Sequence, residues 1–170
     1  MRDDEFERLY AEEAQGLFGY LAYRTGDRAL AQDLLADVFE RALRARGRYD
    51  RRKGSARTWL YAIAGNLLVD HARRQAAGAR AVERAGPPAE GELDRRIEAL
   101  PERDALAHAL ATLSDEEREA VALRFGADLT VPEMAELTGE PLTTVEGRVY
   151  RALRKLRTAM DPERLGRPGA

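Results

Sequence analysis

Residues 41–57 hold eight cationic side chains, Arg41, Arg44, Arg46, Arg48, Arg51, Arg52, Lys53 and Arg57, against the single acid Asp50, a local balance of +7. Such a patch attracts a polyanion. Two positions further on stands Trp59, and an aromatic ring beside arginines is what single-stranded nucleic acid requires, because the ring stacks a base while the guanidinium groups hold the backbone. The alternative for this tryptophan is a place in a small core. A second cationic run, Arg148, Arg151, Arg154, Lys155 and Arg157, contains no acid between 148 and 157. It follows a stretch, residues 102–146, with three basic and eleven acidic residues, a balance of −8. All 28 basic residues except Lys53 and Lys155 are arginine, the side chain best suited to bidentate contact with phosphates and base edges. One charge run alone is usually a solvated face; two, each attached to a helix, weigh against that.

Other chemistries are poorly supplied. The chain has no cysteine and only two histidines, His71 and His108, which removes disulfides, cysteine-bound zinc and a thiol nucleophile and leaves little for a metal site or a histidine-based triad. With no glycine-rich phosphate loop either, the expectation is a protein that is not an enzyme and uses no metal and no cofactor. No apolar run approaches the roughly 20 residues of a spanning helix, and the opening MRDDEFERLY is acidic where a signal peptide is basic and then apolar. A cytoplasmic protein without membrane insertion is expected.

The elements that must position these groups are all helical by apolar spacing at i, i+3, i+4. Helices are expected over about 4–25, 28–46 and 56–74, with Gly26 as a stop, Asp27 as the next N-cap and Ser55 capping the third. Between the last two, GRYDRRKGS reads as a loop. AAGARAVERAGPPAEGE, with three glycines and a proline pair, reads as a linker. In a chain of 170 residues, this gives two small helical domains: residues 1–76, a linker over 77–92, a second domain over 93–160 and a tail over 161–170. The second domain opens with a lead-in helix ended by Pro101 and a helix over 102–112. Ser114 with Glu117 and Thr130 with Glu133 then fit capping boxes, and Gly126 and Gly139 stand where helices should end. Helices over 115–125, 131–138 and 142–160 around a tight glycine turn read as a helix-turn-helix; the same shape also occurs as plain packing in helical domains, and the charge pattern favours DNA.

At 100° per residue, Val145, Val149, Ala152, Leu153 and Leu156 form the core arc of the last helix. Thr143, Thr144, Gly147, Tyr150, Arg151, Arg154 and Lys155 lie opposite, with Glu146 and Arg148 at the margins, so this face is the candidate DNA surface. Residues near the helix start would reach base edges, and Arg151, Arg154 and Lys155 phosphates. Gly147 suggests a close approach, since glycine costs about 1 kcal/mol of helix stability relative to alanine; a harmless surface glycine is the alternative. In the third helix Leu60, Ile63, Ala64, Leu67 and Leu68 form the core arc with His71 as a packed residue, while Trp59, Ala62, Asn66, Asp70 and Arg73 share another stripe.

DLLADVFERAL at 33–43, RTWLYAIAGNLLVDHARR at 57–74 and LSDEEREAVALRFGADLTVPEMAELTGEPLTTVEGRVYRALRKLR at 113–157 resemble regions 2 and 4 of bacterial RNA polymerase sigma factors. The two-domain plan is similar to the extracytoplasmic function (ECF) group of the sigma-70 family. The resemblance implies an alternative sigma factor that binds core RNA polymerase, recognises the −35 duplex through the helix-turn-helix, and recognises and melts the −10 element through the first domain. It assigns the acidic stripe Asp33, Asp37 and Glu40 to core polymerase; bland solvent exposure is the alternative. It assigns Arg48, Tyr49, Arg51, Arg52, Lys53, Trp59, Tyr61, Asn66, Asp70, Arg73 and Arg74 to the −10 element, and Thr143, Thr144, Glu146, Gly147, Arg148, Tyr150, Arg151, Arg154 and Lys155 to the −35 element. An anti-sigma factor joins promoter DNA and core polymerase among the expected partners. One departure stands out: Thr144-Val145-Glu146-Gly147 carries an acid where related helices carry a cation followed by serine, so the usual −35 sequence cannot be assumed. A free-standing helix-turn-helix repressor or activator is the competing reading; it would need neither polymerase nor the acidic stripe.

Overall fold

The first helix, α1 (Asp3–Thr25), ends where Gly26 turns left-handed at φ 68°, a conformation that lacks the usual Cβ penalty only in glycine. Asp27 then starts α2 (Arg28–Ala45), its carboxylate accepting the backbone N–H groups of Ala29 and Leu30 at 2.9 and 3.1 Å. The expected loop after α2 is two short 3₁₀ turns, Arg46–Arg48 and Arg51–Lys53. Ser55 caps α3 (Ala56–Ala85), accepting the Thr58 N–H at 3.1 Å. A computed structural model describes residues 1–85 and 108–160 of the chain, and every regular element among them is helical.

α3 corrects one expectation. Residues 77–85, read from the sequence as linker, continue the helix to Ala85. Ala76, Ala77, Ala79, Ala81 and Ala85 are strong helix formers, and together they outweigh the roughly 1 kcal/mol penalty of the lone Gly78. The lead-in helix before Pro101, most of the helix over 102–112 and the tail over 161–170 lie outside the described residues.

In the second half, α4 (Asp115–Val121) begins with the expected capping box: Glu117 N–H donates to Ser114 Oγ, and Ser114 N–H to Glu117 Oε2. It continues into a π-helical turn, Ala122–Gly126. Thr130 and Glu133 form the second box at the start of α5 (Val131–Thr138). Gly139, left-handed at φ 71°, makes the tight turn into α6 (Leu142–Ala159).

The apolar interior is continuous. Leu17, Tyr20, Leu21, Val38, Leu60 and Leu67 of the first half share one cluster with Leu123, Leu129, Met134, Val145 and Val149 of the second. A smaller cluster joins Leu110, Leu113, Val121 and Ala152. The two halves meet where α1 crosses the π turn, and here Gly126 departs from its expected role. It is not a left-handed helix stop but a point of backbone contact. A Cβ on Gly126 would stand 2.6 Å from the Gly19 carbonyl oxygen, and one on Gly19 only 2.0 Å from the Gly126 oxygen. Atoms that close repel strongly, so the contact requires both residues to lack side chains.

Candidate nucleic-acid interface

α6 sorts its side chains as an amphipathic helix should. Val145, Val149 and Ala152 are buried, and Leu156 packs against the smaller cluster. Leu153, placed in the core arc by the wheel, is instead 41% exposed, because it sits at the edge of that arc. On the other side Thr143, Thr144, Glu146, Arg151 and Arg154 are exposed and Tyr150 is 67% exposed. Gly147 is half-buried, and a Cβ there would meet only the Arg151 guanidinium, at 3.4 Å. The helix backbone at Gly147 is therefore approachable from solvent.

Two cations on this helix are already engaged. Arg148 donates from both terminal nitrogens to the Glu140 carboxylate at 2.5 and 2.7 Å, with the arginine side chain only 18% exposed. The pairing holds the Glu140 carboxyl below the ordinary glutamate range and raises the Arg148 guanidinium. Glu140 lies in the turn before α6, so the pair braces the turn against the helix. Lys155 Nζ donates at 2.7 Å to the buried Glu117 carboxylate, which this bond, then the Ser114 backbone N–H, keeps below its ordinary range. Glu146 has no ion pair and no side-chain hydrogen bond among the described residues, so a bare carboxylate stands between Thr143 and Tyr150 on the exposed face.

The cationic segment of the first half is ordered by its own carboxylates. Asp50 caps the turn by accepting the Arg52 N–H at 3.0 Å, and its carboxylate also receives the Arg52 guanidinium. Arg51 pairs with Glu5, and Arg46 pairs with Asp3 at 2.9 Å, fastening the segment to the start of α1. Arg48 and Lys53 are exposed without ion pairs among the described residues. Tyr49 donates from its hydroxyl to the Gly54 carbonyl at 3.1 Å, and its ring lies 5.3 Å from that of Trp59. Trp59 is half-buried and packs against the main cluster, so it serves the core while keeping a partly open edge beside the cationic turn. Along α3, Ala62, Asn66, Arg73 and Arg74 are exposed, and Asp70 lies 3.7 Å from Arg41. His71 is half-buried, 3.3 Å from Gln75.

Tyr61 is the residue whose expected exposure fails: only 6% of it is accessible. It borders Leu68 at the edge of the α3 core arc, and α1 packs on that edge through Gly16 and Tyr20. Its ring meets the Tyr20 ring at 5.3 Å, and its hydroxyl has no hydrogen-bond partner among the described residues. On α2, Asp33 and Asp37 are exposed, and Glu40 pairs with Arg44 at 2.5 Å. Sequence reasoning missed the polar bridges between the halves. Within the first half the buried Glu13 receives Arg57 at 2.7 Å; across the halves Arg57 also reaches Glu133 at 3.3 Å, and Tyr20 donates to both Glu119 oxygens at 2.8 and 3.0 Å. Arg24 adds an ion pair to Glu119 at 3.1 Å. The one signal for them was the pair Gly16 and Gly19, small residues three apart on one face of α1.

Comparison with known proteins agrees with this arrangement. Residues 9–78 match the family Sigma-70 region 2, and residues 103–156 match Sigma-70, region 4. The ECF RNA polymerase sigma factor BldN of Streptomyces coelicolor is 32% identical over 90% of this chain, which spans 59% of that protein's length. ECF sigma factor SigC of Mycobacterium tuberculosis is 32% identical over 89% of this chain and 80% of its own. ECF sigma factor RpoE of Cereibacter sphaeroides is 32% identical over 77% and 70%. The fold is that of sigma factor RpoE solved with the anti-sigma factor NepR from Bartonella quintana, at TM-score 0.68, 19% identity and coverage of 94% of this chain and 98% of that one. It is likewise that of CnrH solved with the cytosolic domain of CnrY, at TM-score 0.66, 24% identity and coverage of 94% and 90%. With both family regions in order and a helix-turn-helix in the second, the chain belongs to the ECF group of RNA polymerase sigma factors in the sigma-70 family.

Proposed function

We propose that this chain directs promoter-specific initiation by joining core RNA polymerase and carrying it to a two-part promoter. The observation that supports this most is the exposed polar face of α6, where Thr143, Thr144, Glu146, Tyr150, Arg151 and Arg154 stand clear of a core made by Val145, Val149 and Ala152. A helix of this kind, following a glycine turn, enters the major groove of the −35 duplex. Arg151 and Arg154 meet phosphates, and the residues nearer the helix start read base edges. The cationic turn at 46–53 and the Tyr49–Trp59 pair receive the opened −10 strand, whose separation costs about 1.4 kcal/mol per base-pair step and is partly recovered by stacking. Asp33 and Asp37 on α2 meet a basic surface of the polymerase.

The chain acts as a binding subunit and works in the cytoplasm with the polymerase. An anti-sigma factor is a further partner, in keeping with the complexes in which the two structural relatives were solved. The test is to add the purified chain to core polymerase on a template library with randomised −35 and −10 segments. Enrichment of templates with two fixed blocks is expected; no initiation from any template, with tight duplex binding by the chain alone, would favour a repressor instead.

A further inference from the structure

We propose, resting on the promoter reading above, that Glu146 is a specificity-determining residue of α6 and selects a cytosine in the −35 duplex by accepting a hydrogen bond from its N4 amino group. The Glu146 carboxylate is exposed and, among the described residues, makes neither an ion pair nor a side-chain hydrogen bond. Helix stability does not account for it. Glu146 is the fifth residue of α6, beyond the first turn in which an acid gains from the helix dipole. The positions three and four away, where a cation would pair with it, are Leu142, Thr143, Val149 and Tyr150. The arginines nearest in sequence do not neutralise it either. Arg148 is held by Glu140, and Arg151 lies over Gly147, its Nη1 3.4 Å from where a Cβ would stand.

A carboxylate on a surface that approaches DNA is repelled by phosphate, so the face loses affinity unless the acid finds a donor. In the major groove the base edges offer two kinds, the N4 amino group of cytosine and the N6 amino group of adenine. Beside the adenine N6 stands the N7 acceptor, which repels a carboxylate, and guanine N7 and O6 and thymine O4 are acceptors as well. Cytosine alone presents an amino group with no acceptor beside it on the same base. The place of Glu146 suits the contact. It lies near the start of α6, the end of a recognition helix that reaches base edges, between the exposed Thr143 and Tyr150. Arg151 and Arg154, further along the helix, are exposed and suited to the phosphates. A good bidentate pair discriminates about 5- to 150-fold against the wrong base; a carboxylate taking one amino group belongs toward the lower end, about tenfold.

The test uses the full chain with core polymerase, initiating on a template library randomised through the −35 segment, and compares wild type with Glu146→Gln and Glu146→Arg. Neither substitution removes a contact seen among the described residues, so melting temperatures should stay within about 2 °C of wild type. Wild type should select C at one −35 position, about tenfold over G. Glutamine pairs with adenine N6 and N7, and arginine with guanine O6 and N7, so that same position should turn to A in Glu146→Gln and to G in Glu146→Arg, with the other positions unchanged. Both variants should also bind all sequences more tightly as a negative charge leaves the face, so the base preference, not the strength, is the readout. A −35 block that keeps the same base at every position in all three forms overturns the cytosine contact and leaves the promoter reading standing. So does a wild-type preference for any base but C at the position that the variants change. A wild type that initiates on no template, or selects no −35 block, overturns the promoter reading and this contact with it.

Discussion

Replacing Glu140 by Gln removes the carboxylate that holds Arg148 and gives two separable effects. The Arg148–Glu140 pair is bidentate at 2.5 and 2.7 Å, with side-chain exposures of 18% and 32%, so it is better shielded than a surface pair and less so than a core pair. Exposed pairs contribute about 0.2–1 kcal/mol and hydrogen bonds to charged groups about 1.5–3 kcal/mol; a loss of about 1–2 kcal/mol is the expectation for this intermediate case. In a body of 150–250 residues each kcal/mol moves the melting temperature by about 2–4 °C. Glu140→Gln should therefore lower Tm by roughly 2–8 °C, read by circular dichroism. It should also free a cation at the margin of the α6 face, so binding to a random-sequence duplex should gain about 0.9 of a unit in the slope of log K against log salt, the value for one added phosphate contact. Arg148→Ala should lose the same stability without gaining slope. A Glu140→Gln variant whose Tm falls by less than about 2 °C, with an unchanged slope, would refute the bracing role and the latent phosphate contact together.

Arg151→Ala with Arg154→Ala should weaken duplex binding across all sequences and lower the salt slope by close to two units; a sequence-selective loss at constant slope would assign these arginines to base edges. Asp33→Arg with Asp37→Arg should abolish co-purification with core polymerase at unchanged helicity, because both side chains are exposed and hold no structural partner among the described residues. The second half should lose stability as pH falls below the ordinary glutamate value of 4.5, since Glu117, Glu133 and Glu140 titrate lower in the folded state. Their causes, largest first, are the Lys155 bond, the Thr130 hydroxyl and the Arg148 guanidinium. A depressed carboxylate stabilises the fold above its unfolded value and loses that contribution as pH falls through its folded value, so melting curves between pH 6 and pH 3 should show a monotonic decline, and a flat profile would contradict these bonds.

Local chemistry made most of the helix ends readable in advance. Asp27, the boxes at Ser114–Glu117 and Thr130–Glu133, and the left-handed Gly26 and Gly139 all act within one turn of chain, where side-chain type alone decides which backbone N–H is capped or which φ is allowed. The buried arcs of α3 and α6 followed from helical period for the same reason. Gly126 could not be read this way: a glycine at the end of a helix serves equally as a stop or as a point of contact, and only the position of α1 distinguishes them. Tyr61 and Leu153 sit at the edges of their arcs, where burial depends on whether another element arrives; α1 packs on Tyr61 through Gly16 and Tyr20, and Leu153 stays 41% exposed. The bridges of Glu13 and Glu119 join residues 44 and 99 positions from their partners, beyond any local pattern. In the cationic turn, charge predicted the patch but not its order, which comes from Asp3, Glu5 and Asp50.

The central claim, that the chain and core polymerase together open a promoter, is tested most directly by permanganate reactivity of −10 thymines on a selected duplex template. Reactivity is expected only when chain and polymerase are both present, reduced by Arg51→Ala with Arg52→Ala, and recovered when the −10 segment is supplied already mismatched. A duplex that the chain binds tightly by itself, with no reactive thymines after polymerase is added, would contradict the account.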